Sequence, residues 1–224
     1  CFLKIIRNFN KAVRRLPLMK TIWSRILNRL PVKWRVHPGV KRLGPGDRVL
    51  DVGCGTGLFC DRVKWITGCS VLGIDSSRLA VEKSRLLLKD EEVSCRTIFD
   101  VEGTFELITM WYVLEHTHEP KDILKEVGRL LSENGLALIS VPLFDSFNRR
   151  FFNVNWVGFD PPRHLHYFTK RTVFRLIEEC GFEVVRFTRI QPSSNLLASL
   201  AGHLGLSNNA SFIDNPLTRS ITYP

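Results

Sequence analysis

Gly53, Gly55 and Gly57 fall at alternate positions of Asp51-Val-Gly-Cys-Gly-Thr-Gly57. Glycines so spaced let a backbone turn sharply and approach a ligand closely, because no Cβ intervenes. The stretch follows a short apolar run, Arg48–Val52, and precedes a helical pattern over about 58–67. In an open parallel sheet that is where ligands sit, beyond the carboxyl ends of the strands at the topological switch point. A second apolar run, 70–74, closes on Asp75. A carboxylate there can accept hydrogen bonds from both hydroxyls of a ribose. Loop and acid together describe a nucleoside site. A dinucleotide fingerprint needs Gly or Ala at the sixth position from Gly53, where this chain has Leu58. That disfavours a nicotinamide-dependent oxidoreductase.

Elements that could position such a site are legible on both sides of it. Strands are expected at 48–52, 70–74, 93–99, 105–111, 136–141 and 182–190. Helices are expected at about 58–67, from a Ser76 or Ser77 cap to about 89, from Pro120, and from a Thr169 cap to just before Gly181. Apolar strands alternating with amphipathic helices imply a parallel sheet covered on both faces, an α/β three-layer sandwich. Residues 143–168 are irregular and rich in aromatics and proline. Residues 191–224 form a C-terminal tail in which Leu196–Leu206 could make a short helix.

The 224 residues carry a net charge of +10, unevenly placed. Residues 1–48 hold 13 Lys/Arg and one acid, Asp47, leaving the remainder slightly acidic. The basicity therefore belongs to an N-terminal arm, 1–40, of amphipathic helices broken at Pro17 and Pro31. Two readings stand. The arm is a lid or flanking helix pair with a solvated basic face, or its residues 1–35 rest on an anionic membrane surface or grip an anionic substrate. Six cysteines without a C-x-x-C pair, and no run long enough to span a bilayer, fit a reduced cytoplasmic compartment. A chain beginning with Cys1 fits a fragment or a processed product.

The loop spacing is similar to the signature of class I S-adenosylmethionine-dependent methyltransferases. Phe105–His116, with its Val113-Leu-Glu-His116 string, resembles the fourth strand and following loop of the small-molecule branch: the type 11 and type 23 groups and the ubiquinone-biosynthesis O-methyltransferases. Trp156–Phe168, containing Asp160-Pro-Pro-Arg-His-Leu-His166, resembles a segment of type 23 members found among polysaccharide-synthesis enzymes. The resemblance covers about 48–190. It implies a Rossmann-like sheet in the order 3-2-1-4-5-7-6; strand seven is not found in 191–224. It implies S-adenosyl-L-methionine as cofactor, leaving S-adenosyl-L-homocysteine as product. Gly53, Cys54, Gly55, Thr56 and Gly57 would line its methionine end, and Asp51 would orient the loop or bind the amino group. Asp75 and Ser76 would hold the ribose, Asp100 the adenine amino group, and Trp111 and Tyr112 would border the sulfonium. The domain would occupy 41–190, with 143–168 as an acceptor lid.

A hydroxyl acceptor needs a base. His116 is the first candidate, with His164 and His166 as alternatives; a capping or buried structural histidine is the competing reading. The spacing of His164 and His166 admits metal ligands, but no third ligand is evident near them in sequence. In the ubiquinone enzymes an acid stands three residues before the Glu-His pair; here Tyr112 does, and no metal is assigned. Arg163 and Trp156 are expected to contact the acceptor, a small molecule, saccharide or lipid-linked group. Arg163 suits bidentate pairing with an anionic group, or a salt bridge closing the lid. The competing functions are an RNA methyltransferase gripping phosphates with the arm, disfavoured by the arm's apolar faces, and a non-catalytic cofactor-binding module.

Overall fold

In the computed structural model, which describes residues 40–188 and 193–204, five strands form one parallel sheet. They are β1 (Arg48–Val52), β2 (Ser70–Asp75), β3 (Val93–Cys95), β4 (Phe105–Trp111) and β5 (Leu131–Ser140), in the order β3-β2-β1-β4-β5. This is the expected Rossmann-like order as far as β5. The sheet reverses direction of growth between β1 and β4, so a crevice opens beyond their carboxyl ends. β1 and β4 are buried almost throughout because both their faces are covered.

Alternation along the strands divides the core. Leu50, Val52, Ile108 and Met110 face the helices α3 (Pro120–Leu130) and α5 (Lys170–Glu179), whose Leu124, Val127, Leu130 and Val173 fill one continuous cluster with them. Asp51 and Thr109 point to the other face, where α1 (Leu58–Thr67) brings Cys60 against Asp51. α2 (Arg78–Ser84) begins at Ser77, whose hydroxyl accepts from Ala80 N at 3.3 Å. Pro120 opens α3, where its missing N–H costs nothing. α5 is capped by Thr169, which accepts from Thr172 N at 3.2 Å. After β5 come α4 (Phe147–Phe152) and, later, α6 (Ser193–His203).

Four expectations need correction. The helix expected to run to about 89 ends at Ser84, and the chain turns over 85–87. The strand at 93–99 stops at Cys95, and Ile98–Asp100 tightens into a 3-10 turn. β5 begins at Leu131 rather than Leu136. Phe105 pairs with Leu131 and Leu107 with Leu136, so Asn134-Gly135 lies in a bulge inside the strand. Residues 182–188 form no strand, and 189–190 lie outside the described residues. Their alternation is real, with Phe182 and Val184 half-buried, but a sixth strand in the expected order would pair only with the seventh. Among the described residues no such neighbour is present to complete its backbone hydrogen bonds.

The arm, apart from Val40, and tail residues 191–192 and 205–224 also lie outside the described residues, and with them the expected membrane or substrate contact of residues 1–35. Among the described residues no helix is long and apolar enough to cross a membrane.

Candidate functional site

The loop after β1 is tied to β2 before any ligand is considered. Gly53 N and Cys54 N both donate to the Ile74 carbonyl, at 2.8 and 2.9 Å. Gly55 N donates to Asp75 Oδ2 at 2.9 Å, and Ser77 N to Asp75 Oδ1 at 2.8 Å. The three loop glycines all have positive φ, from 54° to 74°. Gly57 shows why no other residue fits. At φ +74°, an added Cβ would lie 2.8 Å from Leu88 Cδ1 and 2.9 Å from Ser84 Cβ. Left-handed backbone costs an L-residue roughly 1–2 kcal/mol and overpacking roughly 1–3 kcal/mol. Gly57→Ala is therefore expected to destabilise the domain by about 2–4 kcal/mol, measured by urea denaturation. A change under half a kilocalorie would show that the loop relaxes freely.

Asp51, 1% exposed, lies under the loop. Thr109 Oγ1 donates to its Oδ1 at 2.6 Å and the Cys60 thiol to its Oδ2 at 3.6 Å. Burial outweighs both bonds and pushes its carboxyl up to about 7. Of its two expected roles, this position suits orienting the loop. Burial also pushes the Cys54 thiol up to about 12, which makes it an unreactive loop residue. Asp100 closes the turn after β3. Its Oδ2 accepts from Thr97 N at 3.1 Å and Thr97 Oγ1 at 2.7 Å, bonds that hold its carboxyl below the usual range. Ser76 is exposed beside Asp75.

β4 ends in Trp111, packed on Phe59 with centroids 5.3 Å apart. Tyr112 follows with φ +58°, a strained conformation for a bulky residue, held by its N–H on the Ser140 carbonyl at 3.0 Å. Burial raises the Tyr112 phenol, against a hydrogen bond with the Ser140 side chain. Two buried polar groups here lack partners, Thr56 Oγ1 and Trp111 Nε1. Native interiors rarely leave such groups unpaired. A nucleoside bearing an amino acid carboxylate would supply acceptors to both. Asp75 also keeps lone pairs for ribose hydroxyls, since each carboxylate oxygen can accept more than one bond. The residues present thus fit the cofactor that the resemblance implies.

Residues 143–168, the segment expected to form a lid, are stitched to the turn after β4. Leu165 N and His166 N donate to the Glu115 carbonyl at 2.8 and 3.2 Å, and His116 Nδ1 lies 2.8 Å from the Arg163 carbonyl. His164 Nδ1 lies 2.9 Å from the Gly158 carbonyl. These contacts bring His116 and His164 edge to face, with centroids 4.7 Å apart. His166 stands apart, stacked on Phe168 with its Nε2 buried and unpartnered. Arg163 pairs with Asp160 at 2.6 Å, an ion pair within the 143–168 segment itself. Trp156, 6% exposed, packs against Gly158 and Phe144 within this segment, so little of its ring is open to an acceptor.

Sequence reasoning gave Glu115 no role of its own. It is fully buried, both carboxylate oxygens lack partners, and burial pushes it up to about 8. The signal was its place between a buried strand end and His116.

A family model described as Methyltransferase domain, of type 23, matches residues 18–186. The mitochondrial ubiquinone biosynthesis O-methyltransferase of Saccharomyces cerevisiae is 35% identical over 107 residues, 43% of this chain and 34% of that protein. The ribosomal protein L11 methyltransferase of Thermosipho africanus is 32% identical over 119 residues, 48% of this chain and 45% of that protein. The chain spans less than half the length of these curated relatives. Among solved structures, the cyclopropane synthase MmaA2 from Mycobacterium tuberculosis shares the fold, with a TM-score of 0.57 at 16% identity over 77% of this chain and 71% of that one. Since the family match runs through both the nucleoside loop and the lid, the chain belongs to the type 23 methyltransferase domain family of class I S-adenosylmethionine-dependent methyltransferases.

Proposed function

We propose that this protein transfers a methyl group from S-adenosylmethionine to an oxygen of a small-molecule, saccharide or lipid-linked acceptor. The observation that carries the reading is the 2.9 Å bond from Gly55 N to Asp75 Oδ2. It sets the glycine loop and the ribose-binding acid in one fixed relation before a ligand arrives. In this reading Asp51 holds the loop from beneath, and Gly53, Cys54, Gly55, Thr56 and Gly57 line the methionine end. Asp75 and Ser76 take the ribose, Asp100 the adenine amino group, and Trp111 and Tyr112 border the sulfur.

When bound, the cofactor supplies an electrophilic methyl group on a sulfonium. The chain's own contribution is alignment and proton removal. A carbonyl beside Nδ1 of His116 selects the tautomer protonated there, which leaves a lone pair on Nε2. That lone pair can take the proton of an acceptor hydroxyl or bind a cation, and the two uses exclude each other. The lid covers the site and selects the acceptor.

Arg163→Ala is expected to raise the acceptor KM by about tenfold, the value of one charged hydrogen bond, with cofactor affinity unchanged. Equal losses in both would make Arg163 purely structural. The function itself is tested by incubating the full chain with a metabolite extract and methyl-labelled cofactor. Label in a small molecule or glycolipid supports the reading. Label confined to RNA or protein contradicts it.

A further inference from the structure

We propose that Arg149 and Tyr167 form a subsite for an oxyanion, the phosphate or carboxylate group of the methyl acceptor. The inference rests on the methyl-transfer reading above and narrows its acceptor to an anionic molecule. α4 carries Arg149 onto two rings of the 143–168 segment. Its guanidinium carbon lies 4.6 Å from the Phe144 centroid and 5.9 Å from the Phe159 centroid. The Tyr167 ring packs against the same two rings, 5.4 Å from each. Cation and phenol therefore share one aromatic wall.

Two buried donors point to a ligand. Arg149 Nη1 donates to Asn153 Oδ1 at 3.0 Å, but Nε is shut off from solvent and has no hydrogen-bond partner. Among the described residues Arg149 forms no ion pair. Tyr167 Oη is likewise buried and unpartnered. Donors removed from water, one of them on a cation, are costly unless an acceptor meets them. The Asn153 bond leaves the Nε–Nη2 edge, the parallel pair of N–H groups that grips a carboxylate or phosphate at two oxygens. Presenting that edge takes a change of side-chain torsion only, with Asn153 as the one polar tether. Asp160, whose charge reaches Tyr167, is held by Arg163 at 2.6 Å, which offsets its repulsion of an anion there.

A run of rings joins this subsite to the reacting end. Tyr167 lies 6.4 Å from His164, and His164 4.7 Å from His116, centroid to centroid. An acceptor lying along the run offers its hydroxyl at the turn after β4 and its anionic group at α4. Arg163 must leave Asp160 to reach an anion, whereas Arg149 leaves no acid behind. Sugar phosphates, lipid-linked phosphates and hydroxy acids carry the group that this subsite fits; neutral saccharides and neutral lipids lack it.

The test follows the Arg149 Nε–H resonance of the full chain by NMR, assigned as the one missing from Arg149→Lys. Inorganic phosphate and, separately, acetate are titrated at constant ionic strength. The expected result is a shift that saturates with at least one of them, and the tighter anion names the group. Tyr167→Phe, which removes only the hydroxyl, should weaken that binding by about tenfold. Arg150→Ala, which removes the exposed charge next in sequence, should leave it within about twofold, since salt screens an exposed charge. A resonance unmoved by either anion overturns the subsite. Equal losses in Tyr167→Phe and Arg150→Ala, the mark of a diffuse field, overturn it too. The acceptor class is read from a metabolite extract incubated with methyl-labelled cofactor. Labelled products should be retained by an anion exchanger and formed at least about tenfold more slowly by Arg149→Gln. Partition into butanol then separates lipid-linked products from water-soluble ones. Label in neutral products, at equal rates in wild type and Arg149→Gln, overturns the class. An intact shift with no labelled small molecule would leave the anion subsite standing and remove the methyl-transfer reading instead.

Discussion

Replacing Asp75 by Ala should weaken S-adenosylhomocysteine binding by about 3–4 kcal/mol, roughly 10²–10³-fold. The size follows from two lost hydrogen bonds from ribose hydroxyls to an ionised acceptor. The same carboxylate also accepts from Gly55 N and Ser77 N, so its removal loosens the loop that would receive the methionine end. Asp75→Asn separates the contributions. The amide keeps one oxygen acceptor but turns the other atom into a donor, so one ribose bond and one backbone bond are lost. Calorimetry should place this variant between Ala and wild type. Urea denaturation of each checks that the fold persists. Affinity within threefold of wild type in Asp75→Ala would show that the nucleoside is held elsewhere.

The second large effect is on the pH dependence of stability, through Asp51. Unfolded, this carboxyl titrates near 3.8; folded, burial raises it to about 7. Between those values the folded chain holds a proton that the unfolded chain has released. Stability therefore falls as pH rises through this window, by up to about 1.4 kcal/mol per pH unit, and the loss is complete above about 7. Asp51→Asn removes the titration while keeping an oxygen to accept from Thr109 Oγ1. The variant should be more stable than wild type near pH 8, with the difference closing toward pH 4. Denaturation midpoints across that range measure it. Glu115, raised to about 8, adds a slope of the same sign that persists in the variant. Parallel profiles for variant and wild type would show that Asp51 is ionised in the folded state throughout.

The nucleoside half of the site is legible in the sequence because it is local. Glycine spacing, the strand before it and the acid closing the next strand sit within one strand–helix–strand unit, and hydrogen bonds within that unit fix their geometry. The same holds for the helices that start at Ser77, Pro120 and Thr169, where the capping residue states the boundary. The half of the site beyond β4 is not local. His116 and His164 meet only because Leu165 N, His166 N and the Arg163 carbonyl pair with the Glu115–His116 turn. No periodicity marks such contacts between an irregular lid and a turn. Glu115 is hidden for a related reason: a charged residue within an otherwise apolar string reads as the exposed end of a turn, whereas here it is fully buried. At 182–188 local alternation points to a strand, but a strand is made by its neighbour as much as by its own residues.

Calorimetric titration of the full chain with S-adenosylhomocysteine and, in parallel, with NADH tests the nucleoside site most directly. One S-adenosylhomocysteine bound per chain, with no heat from NADH, is the predicted result. NADH bound in its place, or neither nucleotide bound by a folded chain, would contradict it.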